Sequence, residues 1–135
     1  MKRELINPEG VFAHPAYTGV CTVTDPRKFH FFAGRTPADF ETYEAVHVGD
    51  FRGQYRHVMR TLDIEMKAVG CRWEDVVYRR IFTLDVDAFL ESHLDDDEIA
   101  SYWEPGRVPP STLIGVTRLS NPDFLIEIDL LAVSE

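Results

Sequence analysis

The stretch from Pro109 to Ala132 constrains this chain more than any other. It opens with Pro109-Pro110-Ser111-Thr112-Leu113-Ile114-Gly115, a small-residue corner running into β-rich residues. After Ser120-Asn121-Pro122-Asp123 it continues as Phe124-Leu125-Ile126-Glu127-Ile128-Asp129-Leu130-Leu131-Ala132. Such a pattern reads as two β-strands joined by a short turn. In the second strand, Leu125, Glu127, Asp129 and Leu131 share one face, because side chains alternate with a period of two.

The order of elements before it narrows the fold further. Val20 to Thr24 and Phe29 to Phe32 are short β-rich runs separated by Asp25-Pro26-Arg27, and they are expected to form a hairpin. Leu5-Ile6 is a candidate extra edge strand, and Gly34 closes the second run. Phe51, Tyr55, Val58, Leu62, Met66 and Val69 form one apolar stripe at helical spacing, so a helix is predicted from about Asp50 to Val69. Asp50 suits its N-cap and Gly70 its left-handed terminus. Val76 to Leu84 reads as a strand, and a second helix starts near Asp85 or Asp87. Asp95-Asp96-Asp97-Glu98 reads as a solvated acidic turn interrupting that helix before Ile99, Tyr102 and Trp103. A calcium loop would need alternating ligands and a central glycine. The sum is an α+β fold, a mixed β-sheet with two helices packed on one face. No repeat, low-complexity tract or linker marks a second domain, so residues 1–135 are expected to form one.

Composition excludes several classes. Hydrophobic residues make up 44% of the chain and charged residues 27%, the balance of an ordinary globular protein. A net charge of −9 argues against nucleic acid, whose binding needs a basic surface. No apolar run of membrane-spanning length and no leader-like segment occurs, so neither a membrane partner nor export is expected. Cys21 and Cys71 stand alone, which suits a reducing, cytoplasmic setting. The histidines at 14, 30, 47, 57 and 93 form no HxxxH or HxH pair, and no glycine-rich phosphate loop exists. Neither a metal nor a cofactor is expected.

Several segments carry a family likeness when taken in order: Tyr17-Thr18-Gly19-Val20, Phe32-Ala33-Gly34-Arg35-Thr36-Pro37, Gln54, Asp75-Val76-Val77 and Asp85-Val86-Asp87-Ala88-Phe89. With the C-terminal stretch, including Arg118 and Glu127, they resemble the Rid (YjgF) family of small trimeric enamine/imine deaminases. The resemblance implies a bacterial chorismate-mutase-like fold and a homotrimer built around the uncovered sheet face. It also implies small-molecule ligands in clefts between subunits. In the family the glutamate matching Glu127 helps hold the water that attacks the imine carbon. The alternative for Glu127 and Asp129 is a solvent-facing or interface-pairing role.

One position departs from the pattern. Where the deaminases carry an arginine that grips the substrate carboxylate, this chain has Ser111. A hydroxyl offers one donor and no charge in place of a planar fork of donors. Conventional 2-imino acid deamination is therefore expected to be weak or absent. The expected substrate is an imine or enamine-type intermediate larger than 2-aminoacrylate; the alternative is a non-catalytic binding or regulatory trimer. The expected cleft is bounded by Tyr17, Gly34, Arg35, Ser111, Thr112 and Glu127. Arg35, where the family has a glutamine, is either a substitute anion contact or a surface arginine. Arg79 and Arg80 must point to opposite strand faces, so at most one enters a cleft. Tyr17 and Trp103 are either an aromatic wall or simple packing.

Overall fold

The computed structural model describes residues 1–135. Strands β1 (Lys2–Ile6) and β2 (Val20–Thr24) form an antiparallel ribbon. The main sheet contains β3 (Lys28–Arg35), β4 (Val76–Thr83), β5 (Ser111–Gly115) and β6 (Ile126–Ser134), in the order β3-β6-β4-β5. Only β4 and β5 run parallel, and the other neighbours are antiparallel. Helices α1 (Phe51–Ala68), α2 (Val86–Asp95) and the single turn α3 (Asp97–Ala100) complete the α+β architecture.

Helix α1 forms where its stripe predicts. Asp50 caps it by accepting from the Gly53 amide, and Gly70 has the positive φ that ends it. Its buried Tyr55, Val58, Met59, Leu62 and Met66 pack against Ile126, Ile128, Leu130 and Ala132 of β6 in one core. The opposite sheet face has no helix. It carries Phe31, 81% exposed, with Phe29, Tyr78 and the half-buried Leu131. This is the face on which the sequence leads us to expect contacts between copies.

Two expected pairings differ. The Asp25-Pro26-Arg27 segment bends the chain but closes no hairpin: β2 joins β1 while β3 pairs with β6. The two C-terminal strands are likewise not neighbours, because β4 lies between them. Turn residues specify a reversal locally; the partner is chosen by which strand can bury its apolar face, and β6 buries its face best in the sheet centre. The acidic turn is also not simply solvated. Asp96 is buried, caps α3 through the Ile99 amide and pairs with Arg56.

Gln54, fully buried on α1, fastens three backbone groups in two separate stretches. Its Nε2 donates to the carbonyls of Val46 (3.2 Å) and Asp123 (2.8 Å), and its Oε1 accepts from the Leu125 amide (2.8 Å). Gln54→Leu strands all three backbone groups in the interior. We expect a loss of about 2–4 kcal/mol in urea unfolding, against about 1 kcal/mol for the exposed-cap change Asp50→Ala.

Candidate functional site

Strand alternation decides where each expected site residue goes. On β4, Arg79, Ile81 and Thr83 point to the helix side, while Tyr78, Arg80 and Phe82 point to the uncovered face. Register carries this across the sheet: Phe82 stands opposite Glu127, and Arg79 stands beside Ser111. Glu127 and Ser111 therefore belong to opposite faces of one sheet.

Glu127 sits against Gly34. A methyl group added at Gly34 would come within 2.5 Å of Glu127 Oε2, so only a glycine lets the carboxylate lie there. The neighbouring Asp129 is held by Arg80, whose Nη2 donates to it at 2.7 Å. Partial burial, with a smaller contribution from Asp129, pushes the Glu127 carboxyl above the usual glutamate range.

The second group lies at the open edge of the sheet. His14, Tyr17, Ser111, Thr112 and Arg79 line a cavity of about 370 Å³ whose remaining walls are mainly apolar. Tyr17 stacks flat on His14, ring centroids 5.2 Å apart. Ser111 Oγ donates to the Pro109 carbonyl (2.8 Å) and accepts from Arg79 Nε (2.6 Å). Thr112 is exposed and bonds Tyr78 through its hydroxyl.

Arg35 joins neither group closely. Its Nε and Nη2 donate to the two oxygens of Glu65 on α1, both at 2.7 Å, and this pairing holds the guanidinium above its usual range. The charge that the sequence offered as an anion contact is met by a carboxylate within the chain. Trp103 also stands apart from Tyr17: it packs edge-on against Trp73, in a separate cavity of about 240 Å³ with Tyr102. No group of three or more histidine, cysteine or acidic side chains is placed to hold a metal ion.

Sequence reasoning left open which of Arg79 and Arg80 faces a cavity, and it passed over His14. Nothing in Tyr78-Arg79-Arg80 tells the two arginines apart; only the neighbouring strands do. His14, alone in a loop, carries no spacing signal.

A raised carboxyl pKa has a definite sign. Ionising Glu127 costs the folded state more than the unfolded one, so the penalty is absent below the ordinary glutamate pKa and full above the raised folded value. Glu127→Gln should therefore leave stability unchanged near pH 3 and raise it at pH 7, read from thermal melts at both. Equal effects at the two pH values would contradict the unpaired carboxylate.

Comparison with known proteins agrees with this geometry. A family model described as "Endoribonuclease L-PSP" matches residues 13–134. The 3-aminoacrylate deaminase RutC of Acinetobacter baylyi is 30% identical over 128 residues, covering 95% of each chain. A RutC family protein of Synechocystis is 30% identical over 105 residues, 78% of each chain. Among solved structures, the Rid family protein YyfB of Yersinia pestis superposes with a TM-score of 0.85 at 25% identity, covering 98% of this chain and 99% of that one. Escherichia coli TdcF, solved with bound serine, has the same fold at 21% identity, with a TM-score of 0.67 over 83% of this chain and 85% of its own. The order of motifs, the sheet topology and these matches together place this chain in the Rid (YjgF) family.

Proposed function

We propose that the protein hydrolyses the C=N bond of an imine, reached directly or from its enamine tautomer, on a substrate larger than 2-aminoacrylate. The reaction occurs in clefts between the subunits of a homotrimer. The observation that carries this reading is the Glu127 carboxylate: half-buried, without a hydrogen-bond donor from the chain, and resting on Gly34 where only backbone approaches it. Burial raises its pKa, which makes the ionised carboxylate a stronger proton acceptor than a solvated glutamate. Glu127 orients a water and accepts one of its protons as the oxygen bonds to the imine carbon and the C=N π pair moves to nitrogen. That proton passes from Glu127 to nitrogen, giving a carbinolamine; its hydroxyl proton then moves to nitrogen through the same carboxylate as the C–N bond breaks, and a carbonyl compound and ammonia leave.

Two features support assembly as part of the site. The six expected residues do not converge within one subunit, because Glu127 and Ser111 occupy opposite faces of the sheet. The uncovered face that carries Glu127 is also the one rich in exposed phenylalanine. A neighbouring copy seated on that face brings its own Tyr17 and Ser111 edge toward Glu127. A non-catalytic binding or regulatory trimer is the second reading. It is favoured by the Ser111 hydroxyl, which bonds within the chain and offers no guanidinium to a small 2-imino acid. An RNA-cleaving role is disfavoured by the net charge of −9.

Light scattering should give three times the 15.5 kDa chain mass, and a monomer at micromolar concentration would refute the shared cleft. Imines generated in situ by an amino-acid oxidase provide the activity test. Ammonia release should be slow for 2-iminopropionate and faster for imines of bulky apolar amino acids. Glu127→Gln should lower it about 100-fold or more. No acceleration over buffer with any of these imines would favour the binding reading.

A further inference from the structure

Arg79 is an anomaly in this chain. It is 1% exposed, yet no carboxylate lies within ion-pair distance of it, while Arg3, Arg35, Arg52, Arg56, Arg60 and Arg80 each have one. Nε donates to Ser111 Oγ (2.6 Å) and Nη2 to the Ala16 carbonyl (2.8 Å); Nη1 is buried with no partner. The guanidinium lies over the rings of Trp103 and Phe89, at 5.2 and 5.9 Å.

Its polar neighbours supply no negative charge either. Burial holds the Tyr55 phenol up at about 12, so it stays protonated, and burial together with Arg79 pushes His93 down to about 3, so it stays neutral. Burial also lowers the pKa of Arg79 itself, but an arginine starts so high that the charge remains. A buried cation with no counter-ion is a large cost for a fold to carry. It is relieved when an anion arrives in a place where little water screens the pair.

Such a place adjoins it. Arg79 forms part of the wall of the cavity lined by His14, Tyr17 and Ser111, whose other walls are Ile81, Phe89, Leu90 and Leu113. We propose that this cavity binds a carboxylate carried on an apolar, ring-sized or branched body, and that Arg79, reaching across from β4, supplies the positive charge that position 111 lacks. The register makes this possible, because Arg79 and Ser111 are side-by-side partners in the parallel β4–β5 pair. With Nε and Nη2 each bonded within the chain, Nη1 is the one nitrogen left without a partner, so the guanidinium is not free to present its paired fork. Charge alone therefore gives weak binding, and the apolar body has to contribute the rest. This proposal rests on the reading of the cleft as a ligand site and names the class of ligand it selects.

Calorimetric titration of the assembled protein with phenylacetate, phenylacetamide and acetate separates the two contributions. Phenylacetate should bind about tenfold or more tighter than either the neutral amide or acetate, as befits one charge-assisted contact plus a buried ring. Arg79→Met should bring phenylacetate and phenylacetamide to equal affinity while the melting temperature holds or rises, since a buried unpaired charge has been removed. Arg79→Lys should retain part of the preference. Equal wild-type affinity for the acid and its amide, binding of neither, or a preference that survives Arg79→Met overturns the proposal. Should the methionine variant fail to fold, the wild-type ratio decides alone. Phenylacetate binding by the wild-type protein without turnover of any imine defeats the hydrolytic reading without touching this one.

Discussion

Gln54 places an uncharged amide, fully buried, where the chain before α1 meets the segment that enters β6. Three backbone groups that would otherwise be orphaned in the interior find partners in one side chain, using three of its four hydrogen-bonding positions. The consequence reaches beyond local stability. By holding Asp123 and Leu125, the amide sets where β6 begins, and β6 is the strand that both β3 and β4 pair with. A slip of one residue in β6 would turn Ile126, Ile128 and Leu130 out of the core and drive Glu127 and Asp129 into it. The position of the candidate catalytic carboxylate is thus fixed by a helix glutamine that never approaches it.

Much of this was legible in the sequence, for identifiable reasons. Helix α1 could be read because stripe, cap and terminal glycine agree, each a local signal confirming the others. The face carrying Glu127, and the opposition of Arg79 to Arg80, followed from alternation alone. Strand partnership did not, since Asp25-Pro26-Arg27 and Ser120-Asn121-Pro122-Asp123 encode reversals without saying what the next strand will pair with. The Arg35–Glu65 bond was out of reach for the same reason: the two residues belong to different elements, and nothing near Arg35 announces its partner. Sequence reasoning located the charges but could not tell which were already neutralised.

That distinction organises the electrostatics. Most arginines in this acidic chain spend their charge on nearby carboxylates at the surface, where such pairs add little stability. Arg79 instead lies over aromatic rings, with hydroxyl and carbonyl oxygens for company. Its guanidinium also joins three elements, linking β4 to the Ala16 loop through Nη2 and to the start of β5 through Nε. A methionine at this position would fill the space at lower electrostatic cost, so a purely structural account leaves the charge itself unexplained. Relief of that charge by a bound anion supplies the missing term.

The division of the candidate site between two sheet faces ties assembly to chemistry. Within one subunit, the carboxylate that would hold water and the cavity that would hold an anion line no common space, because β4 places Phe82 and Arg79 on opposite sides. The proposed trimer, seating the β5 edge of one copy against the uncovered face of the next, would remove the separation without moving any strand. It would also bury Phe31 and Leu131 and shield Glu127 further from water. Burial of that carboxylate is what raises its pKa, so closing the interface and tuning the proton acceptor become one event. In the proposed trimer the exposed phenylalanines would do more than hold subunits together: by excluding water around Glu127, they would raise its pKa further and make it a stronger proton acceptor.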